Sequence, residues 1–305
     1  MRLKNQDLYQ TLENIVGIEN IYFDELLKNH TYIKLGGKAD VFITPTNYQQ
    51  ICEIVKVARN NDIPITIIGN GSKLIIREGG IRGIIFSFKK LKNIDVIDTN
   101  IIAQSGADLI TVADIALEHE LTGVEFACGI PGTIGGAVFM NAGAYGGEMK
   151  DVLSSVLVVD VNGNLVKKDA KELKLDYRYS NISETKDIVI EATLTLKKGN
   201  YEDIKAKMDE LTIKRNERQP LEYPSCGSVF KRPNGYYSGK LIQDCGLQGY
   251  RIGGAEVSKK HAGFIVNVNN ATANDYIALI EHIQRTVKAK FNVDLEQEVK
   301  IIGED

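Results

Sequence analysis

The sequence predicts an α+β protein of two or three domains, and three observations carry that expectation. A chain of 305 residues exceeds one ordinary domain. Segments with strand and helix periodicity interleave along it, with no internal repeat. Pro220 and Pro224 interrupt regular structure, and the residues beyond them read as a separate small α+β unit.

In chain order, Val41–Thr44 reads as a short strand closed by Pro45. Residues 48–61 carry Ile51, Ile54, Val55 and Ala58 at helical spacing. Ile63–Ile68 is a β-branched run, expected to be a buried strand, which completes a β-α-β unit and feeds a glycine turn. Gly83–Phe88 and Ile101–Ser105 read as strands, and Leu109–His119 as a helix stopped by Gly123. Val156–Val161 and Leu165–Lys167 flank Asn162-Gly163, a strong hairpin signal. Ile188–Leu196 alternates as a half-buried strand does. Tyr201–Arg218 is a helix with Ile204, Met208 and Leu211 on one face and a basic last turn. Beyond the prolines come a strand at Ser228–Lys231, a helix at Ser238–Cys245 and a strand at Gly263–Val268. A helix at Thr272–Phe291 opens with Thr272 and Asp275 in capping-box spacing, and a last strand covers Val299–Ile302.

Composition excludes several classes. A net charge of −3 gives no reason to expect a nucleic-acid partner. Cys52, Cys128, Cys226 and Cys245 are too scattered for a zinc site or a disulfide framework, so free thiols and a reducing compartment are expected. His30, His119, His261 and His282 have no metal spacing, so no metal is expected. The opening MRLKNQDLYQ has no apolar core of a signal peptide, and no apolar run is long enough to span a membrane. The expectation is a cytoplasmic protein with no membrane partner; nothing implies an oligomer.

Two glycine clusters point to a ligand. Residues 128–148 read CGIPGTIGGAVFMNAGAYGGE, glycine-rich yet apolar and almost uncharged, unlike a surface linker. Such backbone is expected to be ordered and buried, with glycine where main chain meets another surface. Upstream, Gly69-Asn70-Gly71-Ser72-Lys73 comes directly after a strand and can expose successive N–H groups as an anion nest. Neither cluster is a Walker A loop or a G-x-G-x-x-G fingerprint. Each alone is compatible with tight turns or packing; together they favour a nucleotide-type cofactor.

The polar residues are less eloquent alone. Arg178 in Asp176-Tyr177-Arg178-Tyr179-Ser180 reads as an arginine packed on an aromatic. Ser228 in Ser225-Cys226-Gly227-Ser228 is not a nucleophile elbow and reads as a strand-start hydroxyl. Glu298 reads as a solvated acid on an edge strand.

Taken in order, these segments resemble the bacterial UDP-N-acetylenolpyruvoylglucosamine reductases (MurB). The resemblance runs from about Asn29 to the end. His30-Thr31-Tyr32-Ile33-Lys34-Leu35-Gly36-Gly37 is similar to the family's opening flavin-domain signature, and Gly69–Leu74 to its pyrophosphate loop. Gly129-Ile130-Pro131-Gly132-Thr133-Ile134-Gly135-Gly136 and Asn141-Ala142-Gly143-Ala144-Tyr145-Gly146 resemble its flavin-lining stretch. Tyr177–Ser180, Gly227–Phe230 and Glu298-Val299 match the segments that carry its catalytic residues.

The resemblance implies a two-lobed FAD-binding domain of the vanillyl-alcohol-oxidase-like (PCMH) type and a C-terminal α+β substrate-binding domain. The expected parts are a first lobe at 1–88, a second at 89–218 and the substrate domain at 219–305. It implies non-covalent FAD, NADPH and a UDP-sugar as small-molecule partners. The cofactor-binding residues carried over are Gly69, Asn70, Gly71, Ser72, Lys73, Gly129, Pro131, Gly132, Thr133, Ile134, Gly135, Gly136, Asn141, Ala142, Gly143, Ala144 and Tyr145. The implied reaction is reduction of the enolpyruvyl group to give UDP-N-acetylmuramate, a peptidoglycan precursor. Hydride passes from flavin N5 to C3, and Ser228 donates the proton to C2. Arg178 and Glu298 would stabilise the intermediate enolate, Glu298 as a donor carrying a proton.

Two departures stand out. The chain between Arg178 and Ile188 is too short for the segment that carries a closing tyrosine in the longer family form, which places it with the shorter, type II form. Lys300 stands where an arginine often comes after Glu-Val, and a lysine cannot make the same bidentate contact. Another oxidoreductase of the same FAD fold, and a non-catalytic nucleotide-binding protein, remain alternatives at this level.

Overall fold

The computed structural model describes residues 6–305. Met1–Asn5, part of the segment on which the absence of a leader was argued, lie outside the described residues. The chain forms two compact units. The first comprises the described residues through Asp24 with Asp40–Asn70 and Arg82–Lys214. The second comprises Glu25–Ala39, Gly71–Ile81 and Arg215–Asp305. The cuts expected at 88/89 and 218/219 divide the chain in sequence order. The packing unit that contains 219–305 also takes in two earlier segments.

The first unit is built on two sheets. One has the order Ile21–Phe23, Ala39–Ile43, Ile81–Ser87, Ile65–Ile68. Its last pair is parallel, Ile65 facing Ile84. The run expected to be a buried strand is therefore an edge strand, where only Ile68 is buried and Ile67 faces out. Helix Tyr48–Asn60 is capped by Asn47, whose side chain accepts from Gln50 N, and buries Ile51, Ile54, Val55 and Ala58. With Leu8 and Leu12 of helix Gln6–Val16 and Ile84 and Phe86, these residues form one core.

The second sheet is antiparallel throughout, ordered Leu165–Asp169, Leu153–Val159, Ile188–Thr195, Asn100–Gln104, Ile94–Ile97. The expected hairpin is present, with Val159 opposite Leu165. Its loop is the longer 160–164, in which Asp160 accepts from Asn162 N and Asn164 N. Helix Leu109–Glu118 ends before Gly123, because Glu120 adopts the left-handed conformation (φ 55°) that the glycine was expected to supply. Val112, Ala113 and Ala116 pack with Ile134, Val138, Val156, Leu194, Ile204 and Met208. Inside the glycine-rich run lies the helix Ile134–Met140, not expected from sequence.

The second unit carries an antiparallel sheet ordered Ser225–Ser228, Phe264–Asn267, Ala255–Val257, Arg251–Ile252. The strand expected at Ser228–Lys231 ends where it was to begin. Helix Ala273–Phe291 has the expected capping box at Thr272 and Asp275. Its Tyr276 is fully buried, with the hydroxyl donating to Ile265 O at 3.0 Å. Leu74–Ile76 pairs in parallel with Lys300–Ile302, and Ile33, Leu35 and Ile75 join Phe230, Ile242, Leu279 and Ile283 in one core. Each such fully buried aliphatic side chain contributes roughly 1.5–3 kcal/mol.

Among the described residues, no helix is long and apolar enough to cross a membrane. Among the same residues, no cluster of His, Cys, Asp or Glu could hold a metal ion.

Candidate active site

The turn after strand Ile65–Ile68 has an anion-receptive main chain. The N–H groups of Asn70, Gly71 and Ser72 donate no hydrogen bond to the described residues. Gly71 is buried, and leaving a buried N–H unmet costs about 1–3 kcal/mol. Three consecutive donors of this kind suit a pyrophosphate. Gly71 must be glycine: φ is +64°, and a Cβ would lie 2.4 Å from His30 O. The Asn70 side chain is engaged elsewhere, donating to Asp108 Oδ1 at 2.7 Å.

The second cluster behaves differently. The N–H groups of Gly132, Ile134 and Gly135 donate to Ile130 O, Ala107 O and Ser105 O, and Gly136 N donates to the capping hydroxyl of Thr133. These donors are occupied. The Ile134 side chain is fully buried in the core. Gly129 and Pro131 sit half-buried in the approach to the helix. Asn141 ends the helix in the left-handed region (φ 42°) and ties the following loop. Its Oδ1 accepts from Lys150 N at 2.8 Å, and its Nδ2 donates to Glu148 Oε2 at 2.7 Å and Asp176 O at 2.9 Å. Gly143-Ala144 and Gly147-Glu148 form a tight hairpin. Tyr145 and Gly146 at its tip both have positive φ, as a two-residue turn of this hand requires.

Arg178 sits on a turn closed by reciprocal bonds between Asp176 and Tyr179, and itself adopts φ 55°. Non-glycine residues enter that region at a cost, so the surrounding bonds hold it there. Its guanidinium donates to Gly143 O at 2.9 Å and lies 5.0 Å from the Tyr177 ring centroid. Tyr179 does not complete a sandwich; its hydroxyl donates to Glu184 Oε1.

In the second unit, Ser228 and Glu298 come together. Glu298 N donates to Val229 O at 2.8 Å, so the two segments run as neighbours. Glu298 is not the solvated acid expected from sequence: only 5% of it is exposed. Its Oε1 lies 2.6 Å from Lys73 Nζ, within ion-pair distance. The same ammonium donates to Ser228 O at 2.9 Å. The Ser228 hydroxyl makes no hydrogen bond to the described residues. Cys226, fully buried beside them, has its thiol pushed up to about 12 by burial, a rise that Lys73 opposes.

Lys73 was expected among the cofactor-binding residues; its side chain turns to Glu298 and Ser228. Nothing in the sequence signals this pairing, because the partners lie far apart in the chain and no spacing links them.

Residues 219–302 match the C-terminal domain of UDP-N-acetylenolpyruvoylglucosamine reductase, and residues 39–169 match an FAD binding domain. A UDP-N-acetylenolpyruvoylglucosamine reductase of Oceanobacillus iheyensis is 60% identical over 298 residues, covering 98% of this chain and 97% of that protein. One of Staphylococcus aureus is 57% identical over 300 residues, 98% of each chain. The crystal structure of the Thermus caldophilus reductase superposes with a TM-score of 0.78 at 32% identity, over 91% of this chain and 97% of that one. A glucose dehydrogenase, Phl p 4.0202, shares the fold alone, with a TM-score of 0.53 at 18% identity over 64% of this chain and 45% of that one. The fold is thus the expected one: an α+β FAD-binding domain of the PCMH type with a C-terminal α+β domain.

Proposed function

This chain belongs to the UDP-N-acetylenolpyruvoylglucosamine reductase family, and on that premise we propose that it reduces UDP-N-acetylenolpyruvoylglucosamine to UDP-N-acetylmuramate with NADPH as reductant. The reaction is a cytoplasmic step towards peptidoglycan. The chain acts as an FAD-dependent oxidoreductase on small-molecule substrates. FAD, when bound, supplies the hydride. The unmet N–H groups of Asn70, Gly71 and Ser72 would hold its pyrophosphate.

The observation that carries the reading is the buried Glu298 beside the segment of Ser228, whose hydroxyl is uncommitted. Adding hydride to C3 of an enol ether that bears a carboxylate places negative charge on that carboxylate. Arg178, already fixed by Gly143 O and Tyr177, would offset that charge with little ordering entropy left to lose. Ser228 Oγ–H would give its proton to C2. A serine hydroxyl is a weak acid, so neighbouring charge must assist it. The Lys73 ammonium, which donates to Ser228 O at 2.9 Å, provides positive charge near Ser228.

The test is direct. NADPH is added anaerobically to the purified protein, and UDP-N-acetylenolpyruvoylglucosamine is added second. The flavin absorbance should bleach and then return. Bleaching without return on adding this substrate would overturn the reading.

A further inference from the structure

We infer that Lys73 is a positioning residue, whose one ammonium group ties the main chain of Ser228 to the carboxylate of Glu298 and holds the two in register. This rests on the proposed function for the roles of Ser228 and Glu298. The tie itself rests on geometry within the second unit.

Four observations carry it. Lys73 Nζ is 2.6 Å from Glu298 Oε1 and 2.9 Å from Ser228 O, so two separated segments share one donor group. The root of the lysine is anchored as well, because Lys300 N donates to Lys73 O at 2.9 Å, two residues after Glu298. Gly227 has φ +71°, and a Cβ there would lie 3.2 Å from Lys73 Nζ. The residue before Ser228 thus leaves room for the ammonium. Finally, Glu298 is almost wholly buried, where a carboxylate without a counter-charge is strongly disfavoured. A compact ammonium with three rotatable donors can serve a carbonyl and a carboxylate that do not lie in one plane.

Lys73 acts here through other groups: it fixes where Ser228 presents its hydroxyl and where Glu298 faces the substrate. Removing its charge should therefore disturb delivery of the proton to C2. It should leave reduction by NADPH alone, since that half asks nothing of Ser228.

The experiment uses the full-length holoprotein with Lys73→Met, Lys73→Gln, Lys73→Arg, Glu298→Gln and the Lys73→Met/Glu298→Gln double variant. Each half-reaction is monitored by anaerobic stopped flow at the flavin absorbance. Lys73→Met should keep the NADPH half within about twofold of the parent and slow reoxidation at saturating substrate by a factor on the order of 10 to 100, the scale of lost positioning. Lys73→Gln, which keeps a polar donor without the charge, should behave alike if Lys73→Met does not accumulate. Lys73→Arg, which keeps the charge in a larger planar group, should recover only part of the rate. Equal slowing of both halves or unchanged reoxidation would overturn the inference.

A second readout needs neither substrate nor turnover. Thermal midpoints of the two single variants and the double variant form a cycle. The double variant should lose less than the sum of the singles, because each single leaves a buried partner unpaired. Simple additivity would mean that the pair is not coupled and would sink the inference. If the parent itself were not reoxidised by UDP-N-acetylenolpyruvoylglucosamine, the functional reading would fail, while the thermal cycle would still decide whether Lys73 and Glu298 act as one unit.

Discussion

Ser105 occupies the space that a side chain on Gly135 would need: a Cβ there would lie 1.9 Å from Ser105 Oγ and 3.2 Å from Ser105 Cβ. Gly135 N also donates to Ser105 O at 2.9 Å. A side chain at Gly135 is therefore opposed by the protein's own packing. Gly135→Ala should destabilise the fold by about 1–3 kcal/mol, the range for overpacking. Ser105→Ala in the same chain should recover part of that loss, since it removes the closer of the two atoms. Thermal melts of the two single variants and the double variant check this. A Gly135→Ala protein as stable as the parent would show that the two backbones can move apart.

A fragment ending at Gln219 should not behave as an intact domain. Ile33, Leu35 and Ile75 belong to the core completed by Phe230, Ile242, Leu279 and Ile283, and Leu74–Ile76 loses its parallel partner Lys300–Ile302. The fragment would expose those aliphatic residues and an unpaired strand edge, a combination that favours aggregation. Light scattering and a dye for exposed apolar surface should report this. A monomeric fragment with a sharp thermal transition would count against it.

The range of each interaction decides whether it could be read from sequence. Helix Ala273–Phe291 was legible because its cap, Thr272 with Asp275, lies within three residues of its start. Helix Tyr201–Arg218 was legible from the spacing of Ile204, Met208 and Leu211. Helix Ile134–Met140 was hidden, because Gly135 and Gly136 oppose helix propensity and only packing against the second sheet selects it. The unbonded N–H groups of Asn70, Gly71 and Ser72 were legible, since they belong to consecutive residues of one turn. Glu298 was misread as solvated because its burial comes from residues distant in sequence. Its ion pair with Lys73 is a tertiary event with no local mark. The tyrosines around Arg178 were half legible: Tyr177 packs on it, whereas Tyr179 turns to Glu184.

Thiol chemistry should separate the cysteines. Cys226 is fully buried with its thiol pushed up to about 12, and burial also raises the thiols of Cys52 and Cys245. Alkylation goes through the thiolate, so these three should react slowly in the native state. Partly exposed Cys128 should be modified first by iodoacetamide at mild alkaline pH, with Cys226 modified only after denaturation. Peptide mass mapping over time gives the order; early labelling of Cys226 would contradict its burial.

His261 should contribute to the loss of stability in acid. Burial, with the nearby Arg218 adding to it, pushes its pKa below the ordinary 6.5. Its Nδ1 accepts from Gly263 N at 3.1 Å, a bond that a fully protonated ring cannot accept. A group kept neutral by folding stabilises above its unfolded pKa, and that contribution fades as pH falls from 6.5 towards the folded value. Thermal midpoints should thus decline below pH 6.5. His261→Asn, which keeps an acceptor and does not titrate, should show a shallower decline. Identical pH profiles for the two proteins would remove His261 from the account.

Ser228 offers the sharpest division of the proposed reaction. Its main chain is fixed by Lys73, while its hydroxyl makes no hydrogen bond to the described residues and is free to serve a substrate. Reduction by NADPH needs no proton delivered to the sugar, whereas completion at C2 does. Ser228→Ala deletes one oxygen from a partly buried strand residue, so the fold should survive. The NADPH half should run near the parental rate. Reoxidation by UDP-N-acetylenolpyruvoylglucosamine should slow by a factor on the order of 10² or more, the scale of a lost general acid. Ser228→Cys should regain part of the rate, because a thiol also carries a proton. Stopped-flow traces of the two halves decide the matter. Equal slowing of both would make Ser228 a binding or structural residue, and the proton would have to come from another group in reach of C2.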